Sequence, residues 1–304
     1  MKVVALAGGT GSAKLLRGLA ARTSELKVVA NVGDNFWVHG LYVCPDVDIA
    51  MYTMAGTADV GRGWGIQGDS FNVLVQLGLL GEETWFNLGD RDLATALLRT
   101  ELLRKGRSLT EITAGLCRAL GVGVPILPAT DSPVETHMVT RRGKMHLQEY
   151  WVKYGGRPVV EEVEYIGAEK ARPTTQVKEA VSGADIVVFC PANPITSIGP
   201  ILAIKGMKNL LSKSKARKVA LSPMAGRAPY SGPAGRLMEA LGVRPDSAGV
   251  ASMYSDFLDE IVIDRRDNGL RQDIEKFGVR CSTTDTFMRS GREERRLASV
   301  LLRN

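Results

Sequence analysis

The residues best suited to chemistry open the chain. Gly8-Gly9-Thr10-Gly11 follows the apolar run Val3 to Ala7 and leads directly into Ser12-Ala13-Lys14-Leu15-Leu16-Arg17, a helical pattern. A turn of small residues between a buried strand and a helix leaves backbone N–H groups and the positive end of the helix dipole facing outward, which suits phosphate. Lys14, about one turn along, could reach back to an anion. The same residues also serve as a bare βα turn, but their place in the first unit of an α/β pattern favours phosphate. Two familiar sites are excluded by spacing. No G-x-x-x-x-G-K-[ST] loop follows the strand, and Lys14 stands where a dinucleotide fingerprint counted from Gly9 needs its third small residue.

Carboxylates form the second group. Asp46 and Asp48, fixed by Pro45, stand at i and i+2. They could share a hard cation, since Mg²⁺ takes one or two carboxylates beside phosphate oxygens and water, or they could divide into a ligand and a base. Asp48 equally suits the N-cap of a helix beginning at Ile49. In Leu88-Gly89-Asp90-Arg91-Asp92, Asp90 reads as a cap for the next helix and Arg91 as a bidentate phosphate clamp. His39, His137 and His146 lack metal-ligand spacing, and no Ser-His-Asp arrangement or nucleophilic cysteine can be argued.

Elements that would position these groups alternate along the chain. A second strand is predicted over 27–31, helices over 71–80 and 91–104, and a helix opened by the capping box Ser108-Leu109-Thr110-Glu111. Residues 139–166 alternate apolar and polar positions between turn glycines and read as antiparallel strands. From Thr174 the βα rhythm returns, with strands at 186–190, 218–222 and 260–264 and a helix over 234–241. The pattern predicts an α/β, Rossmann-like, doubly wound and mainly parallel sheet. Residues 1–60 and 171–304 form its core, and 61–170 an inserted helical and β-rich subdomain. The odd loops then fall at the carboxyl ends of strands, where ligands bind in such sheets. They are the glycine turn, Asn31–Asn35 leading to Asp48, Asn193-Pro194-Ile195-Thr196-Ser197-Ile198-Gly199-Pro200, and Ser222 to Arg227 running on to Ser231-Gly232-Pro233.

Composition sets the outer limits. The 304 residues are 44% hydrophobic and 24% charged, ordinary for a globular protein, with a net charge of +6. No apolar run approaches a membrane span, and the first strand is too short for a signal peptide. The basic residues are scattered apart from Lys213–Lys218 and the arginines of 289–303, which read as solvated faces. Aromatics do not interleave with them, so nucleic acid and membrane are excluded as partners. The four cysteines are far apart, which favours reduced thiols in the cytoplasm.

Together these loops resemble one family, the 2-phospho-L-lactate transferases of coenzyme F420 biosynthesis. The matching segments are Gly8-Gly9-Thr10-Gly11 with Lys14-Leu15-Leu16, Trp37-Val38 with Pro45-Asp46-Val47-Asp48, and Trp64-Gly65-Ile66 with Asp69. They continue in Leu88 to Asp92, Asn193 to Pro200, Ser231 to Gly235 and Asp256-Phe257-Leu258-Asp259. The resemblance implies transfer of a phospholactyl or phosphoenolpyruvyl group from a guanosine diphosphate-linked acid to the ribityl hydroxyl of the deazaflavin Fo, with release of GMP. It also implies Mg²⁺ and a homodimer, with 61–170 contributing to the deazaflavin site. Gly8, Gly9, Thr10, Gly11 and Lys14 would hold the diphosphate, and Asp48 and Asp46 would be the catalytic and metal-binding pair. Asp48 and Arg91 would contact Fo, while Asn193, Ser197 and Gly199 would shape the nucleotide end. The alternative is non-enzymatic: nucleotide-binding regulators of gluconeogenic growth share the G-G-T-G opening. The Pro45–Asp48 and Ser231–Gly235 segments favour the transferase.

Overall fold

The apolar runs that punctuate the chain come together as one sheet. In the computed structural model, which describes residues 1–226, 228–230 and 232–303, seven parallel strands stand side by side. They are β1 (Val3–Ala7), β2 (Leu26–Ala30), β3 (Ile126–Pro128), β4 (Ile186–Phe189), β5 (Arg217–Leu221), β6 (Glu260–Asp264) and β7 (Arg280–Thr284), in the spatial order β3-β2-β1-β4-β5-β6-β7. Val3 lies opposite both Leu26 and Ile186, so β1 is central. Both β1 and β4 are buried along their whole length, which is why they read as unbroken apolar runs and not as alternating ones. Strand order reverses between β1 and β4. The crevice that this reversal opens is flanked by the Gly8–Gly11 turn and by the loop after Phe189.

Two strands of this sheet escaped the sequence reading. β3 is three residues ending in proline, and β7 is a polar edge strand, Arg-Cys-Ser-Thr-Thr. β3 belongs to the 61–170 stretch, so that stretch supplies an edge of the central sheet as well as what lies outside it. Helix α1 (Gly9–Ala20) buries Leu15, Leu16 and Leu19 on one face. It packs against α2 (Pro45–Ala55) and against the C-terminal helix Gly291–Leu301. Gly18 permits the second contact, because a Cβ there would sit 2.3 Å from the Glu294 carbonyl oxygen. Beside it Arg17 is clasped by Glu294 through Nη2 at 2.5 Å and Nε at 3.1 Å.

Outside the sheet lie α3 (Asn72–Leu79) and α4 (Asp90–Arg104), followed by α5 (Leu109–Ala119), which packs on β3. The expected capping box opens α5, with Ser108 Oγ accepting from Glu111 N at 3.2 Å and Glu111 accepting from Ser108 N at 3.1 Å. Asp90 does not cap α4 as its position suggested. It accepts from the N–H groups of Asn72 and Val73, each at 3.1 Å, and so caps α3. Asp69, just before α3, in turn accepts from Arg91 N at 2.9 Å and Asp92 N at 3.2 Å at the start of α4. The antiparallel strands expected over 139–166 form a sheet of three, Gly143–His146, Glu135–Thr140 and Val160–Ile166, with Glu135–Thr140 in the middle. Among the described residues no helix is long and apolar enough to cross a membrane.

Candidate active site

Helix α1 starts at Gly9, earlier than its sequence pattern suggested, so Thr10 and Gly11 lie in its first turn. Gly9 has φ +62°, and its N–H donates to Asp46 Oδ1 at 2.6 Å. Gly8 N donates to Ser12 Oγ at 3.1 Å, and that hydroxyl donates back to the Gly8 carbonyl at 2.7 Å. The glycines are required partly by what surrounds them. A Cβ on Gly8 would stand 2.7 Å from both Asp46 Oδ2 and Ser197 Cβ, and one on Gly11 would stand 2.4 Å from the Pro191 carbonyl oxygen. The turn is therefore the point where the first β-strand, α2 and the loop after β4 converge.

A polar cleft of about 200 Å³ opens there, lined by Gly8 to Gly11, Asp34, Gln148, Asn193 and Ser197 with Trp151 and Tyr230 at its sides. Of two buried carboxylates bridged by one amide, Asp34 lines the cleft and Asp46 lies behind it: Asn31 Nδ2 donates to Asp34 Oδ1 at 2.9 Å and to Asp46 Oδ2 at 2.8 Å. Burial, and then the neighbouring charge of Asp46, holds Asp34 well above the usual carboxylate range. Burial likewise pushes Asp46 up to about 6, against the pull of Asn31 and Gly9 N–H. Asn193 spends its Oδ1 on Ile195 N at 2.9 Å, while its buried Nδ2 has no partner among the described residues. Gly199 is not on this cleft. Its missing Cβ leaves room for the Tyr165 phenol, which donates to the Ile195 carbonyl at 2.6 Å and fixes the loop. Arg227 and Ser231 lie outside the described residues.

A second cavity, of about 390 Å³, is apolar in its walls and acidic in its floor. Trp64, Phe86, Trp151, Val152 and Ile49 form the walls, and Asp48, Asp92, Tyr52 and Asn87 the polar part. Asp48 forms a buried ion pair with Arg99 of α4, which has no exposed surface at all. Burial raises the Asp48 pKa and Arg99 opposes that shift. Asp92 accepts from the Tyr52 hydroxyl at 2.7 Å, and burial followed by the charge of Asp48 pushes it up to about 7. Arg91 lines neither cavity. Its side chain is exposed, and its one polar contact among the described residues is a long 3.4 Å bond to the Gln67 carbonyl.

The structure does not bring Asp46 and Asp48 to one point. Pro45 is the first residue of α2, so both lie in the first helical turn and Asp48 is not an N-cap. Residues two apart on a helix point about 200° from each other. Asp46 accordingly faces the glycine turn, and Asp48 faces Arg99 and the aromatic cavity. The carboxylate that shares a partner with Asp46 is Asp34, across the Asn31 amide, and Asp34 is the one of the two that lines the cleft. Among the described residues no group of three His, Cys, Asp or Glu forms a complete protein cage for a metal. Lys14 also departs from expectation. It faces a third cavity, of about 360 Å³, on the outer side of α1. Thr10 lines all three cavities.

Sequence reasoning missed Asp34, Asp92, Arg99 and Gln148 as site residues. Asp34 and Asp92 lay inside the Asn31–Asn35 loop and the Leu88–Asp92 segment that the sequence marked, and Arg99 left a charge on the same face of α4 as the buried Ala96 and Thr100.

Comparison with known proteins bears on what this arrangement does. The model of the family described as 2-phospho-L-lactate transferase CofD matches residues 3–295. A 2-phospho-L-lactate transferase from Methanosarcina acetivorans is 42% identical over 302 residues, covering 99% of this chain and 98% of the relative. A phosphoenolpyruvate transferase from Streptomyces griseus is 40% identical over 296 residues, covering 95% and 93%. Among solved structures, a UPF0052-family protein from Bacillus halodurans shares the fold with a TM-score of 0.66, at 17% identity and with 99% of this chain and 98% of that one covered.

Proposed function

This chain belongs to the 2-phospho-L-lactate transferase family, and we propose from that premise that it joins a phosphorylated three-carbon acid to the deazaflavin Fo. The donor is a guanosine diphosphate-linked acid of the lactyl-2-diphospho-5′-guanosine type or its enolpyruvyl analogue. Relatives named for each of the two acids match this chain at similar identity, which supports keeping both. The observation that carries the reading is the junction, at Thr10, Gln148 and Trp151, of a polar cleft with an aromatic-walled cavity. One suits a diphosphate, the other a flat tricyclic ring.

In the reaction the terminal ribityl oxygen of Fo forms a bond to the phosphorus that bears the acid. The bond from that phosphorus to the bridging oxygen breaks, and GMP departs with the oxygen and its electron pair. Catalysis then rests on positioning and on neutralising charge. The first turn of α1, Asn193 and Ser197 hold the diphosphate. Asp48, held in place by its ion pair with Arg99, accepts a hydrogen bond from the attacking hydroxyl and orients it. Its charge is committed to Arg99, so the proton passes to Asp92, whose raised basicity suits that task. Asp34, with Asp46 behind it across the Asn31 amide, would hold Mg²⁺ on the cleft side, and the ion when bound would offset the charge of the diphosphate.

A homodimer is part of this proposal. Helix α3 has no buried residue, and Val75, Leu79 and Leu80 are 61, 75 and 80% exposed beside Leu97 and Leu98 of α4. An apolar face of this kind marks an interface, and a second copy of the chain supplies its cover. The four cysteines are buried free thiols, which suits a cytoplasmic enzyme.

The test is mass spectrometry of protein, Mg²⁺, Fo and each guanosine diphosphate-linked acid in turn. A phosphodiester of Fo with GMP released is expected, and the fastest donor identifies the acid. Fo left untouched by every donor would overturn the reading.

A further inference from the structure

The third cavity has no role in the reading above. It lies between the outer face of α1, the 58–63 loop and the 286–289 loop, and it joins the polar cleft at Thr10, Gly11 and Tyr230. Lys14, Arg17, Arg62 and Arg289 line it, against a single acidic side chain, Asp59. Two of the cations are already neutralised: Arg17 by Glu294 at 2.5 Å and Arg62 by Asp59 at 2.9 Å. The other two have no carboxylate partner among the described residues. Lys14 Nζ donates only to the Met288 carbonyl, at 3.0 Å, and the Arg289 guanidinium stands over the Phe287 ring, 4.9 Å from its centroid. A cavity with two uncompensated cations beside a phosphate cleft is a site for a second negative charge on the same ligand.

2-Phospho-L-lactate and phosphoenolpyruvate share such a charge, a carboxylate on the carbon next to the phosphorylated oxygen. That carboxylate finds no cationic side chain in the polar cleft, where the described lining residues include Asp34 but no lysine or arginine. The aromatic cavity offers none either: among the described residues no lysine or arginine lines it, and Arg99 behind Asp48 is committed to that carboxylate. We infer that Lys14 and Arg289 form the subsite for the carboxylate of the three-carbon acid, with Thr10 at the turn from phosphate to acid. This rests on the proposed transfer reaction and adds the part of the site that reads the acid. Arg289 and Lys14 are binding residues here, remote from the bonds that change.

The experiment uses the full chain and two small probes, 2-phospho-L-lactate and GDP, titrated calorimetrically into wild type, Arg289→Gln, Lys14→Met and the surface control Arg271→Gln. Loss of one charged hydrogen bond should weaken phospholactate binding about tenfold or more in each subsite variant. GDP, which has no carboxylate, should bind all four proteins equally. Arg289→Lys, which keeps the charge, should recover part of the loss. Turnover with the acid-bearing donor, measured alongside, should show the same rise in KM with little change in kcat. Phospholactate affinity unchanged in both variants would overturn the subsite, as would a parallel loss of GDP affinity, which would assign the cavity to the nucleotide. Failure of the transfer reaction is separate: it shows as no product from wild type with any donor, while the phospholactate titrations still decide the carboxylate site.

Discussion

The polar cleft and the aromatic cavity meet at Thr10, Gln148 and Trp151 and are built in different ways. The cleft is centred on backbone, a turn of glycines whose neighbours press in so closely that side chains are excluded at Gly8 and Gly11. The cavity is made from side chains brought together from α2, α4, the 64–66 turn and the 148–152 segment, around an ion pair that spans 51 positions of sequence. A backbone site tolerates almost no added volume. A side-chain site tolerates volume but depends on charge balance. Each substitution below sets one rule against the other.

The largest effect belongs to the ion pair. Arg99→Met leaves Asp48 buried without a partner, and such a loss costs about 3–5 kcal/mol of folding stability. Chemical denaturation should show it, and the double variant with Asp48→Asn should regain part of the stability but no turnover. Asp48→Asn alone should abolish turnover while the protein stays folded. Stability of Arg99→Met equal to wild type would mean that the cavity does not depend on charge balance.

Asp92→Asn comes next, with turnover falling about a hundredfold by loss of a proton acceptor. Its raised pKa sets the sign of the pH dependence. Below about 7 the folded protein holds Asp92 protonated and unable to accept, so kcat/KM should rise with pH through about 7. The variant should lose that ascending limb, and a profile unaltered in shape would remove Asp92 from the proton path.

Gly11→Ala tests the backbone side of the contrast. The new methyl would sit 2.4 Å from the Pro191 carbonyl, so the turn or the loop after β4 must move. Overpacking of this kind costs about 1–3 kcal/mol, and GDP affinity should fall about tenfold with it. GDP titration and thermal melts together separate a local shift from unfolding. The smallest effect is expected at Arg91. An exposed arginine with one long hydrogen bond contributes about 1 kcal/mol at most, so Arg91→Ala should raise the KM for Fo less than about fivefold. A larger rise would place Arg91 against Fo and extend the aromatic cavity to its rim.

The same contrast explains what could be read from sequence. A backbone site leaves a local signature, so the glycine turn, its helix and the strand before it were legible as consecutive residues. So were the buried strands β1 and β4 and the capping box at Ser108. A side-chain site leaves no such record. Nothing near Asp48 announces Arg99, and Asp92 looked like part of a helix start until α2 placed Tyr52 beside it. The i, i+2 spacing of Asp46 and Asp48 suggested a shared cation only while Pro45 was taken as part of a loop. With Pro45 at the head of a helix, the same spacing sends the two carboxylates to different cavities. Strands β3 and β7 were lost to brevity and to polar composition, since edge strands carry little of the apolar signal that marks central ones.

The crossed capping of α3 and α4 has a consequence of its own. Because Asp69 serves the start of α4 and Asp90 the start of α3, the two helices are geared together as one mechanical part. Helix α3 carries the apolar outer face, and α4 carries Asp92 and Arg99 inward. A force applied outside, whether by docking, truncation or grafting of this segment, is thereby delivered to the floor of the aromatic cavity. Anyone shortening or transplanting the 69–104 stretch must move it whole, because half of a gear pair transmits nothing.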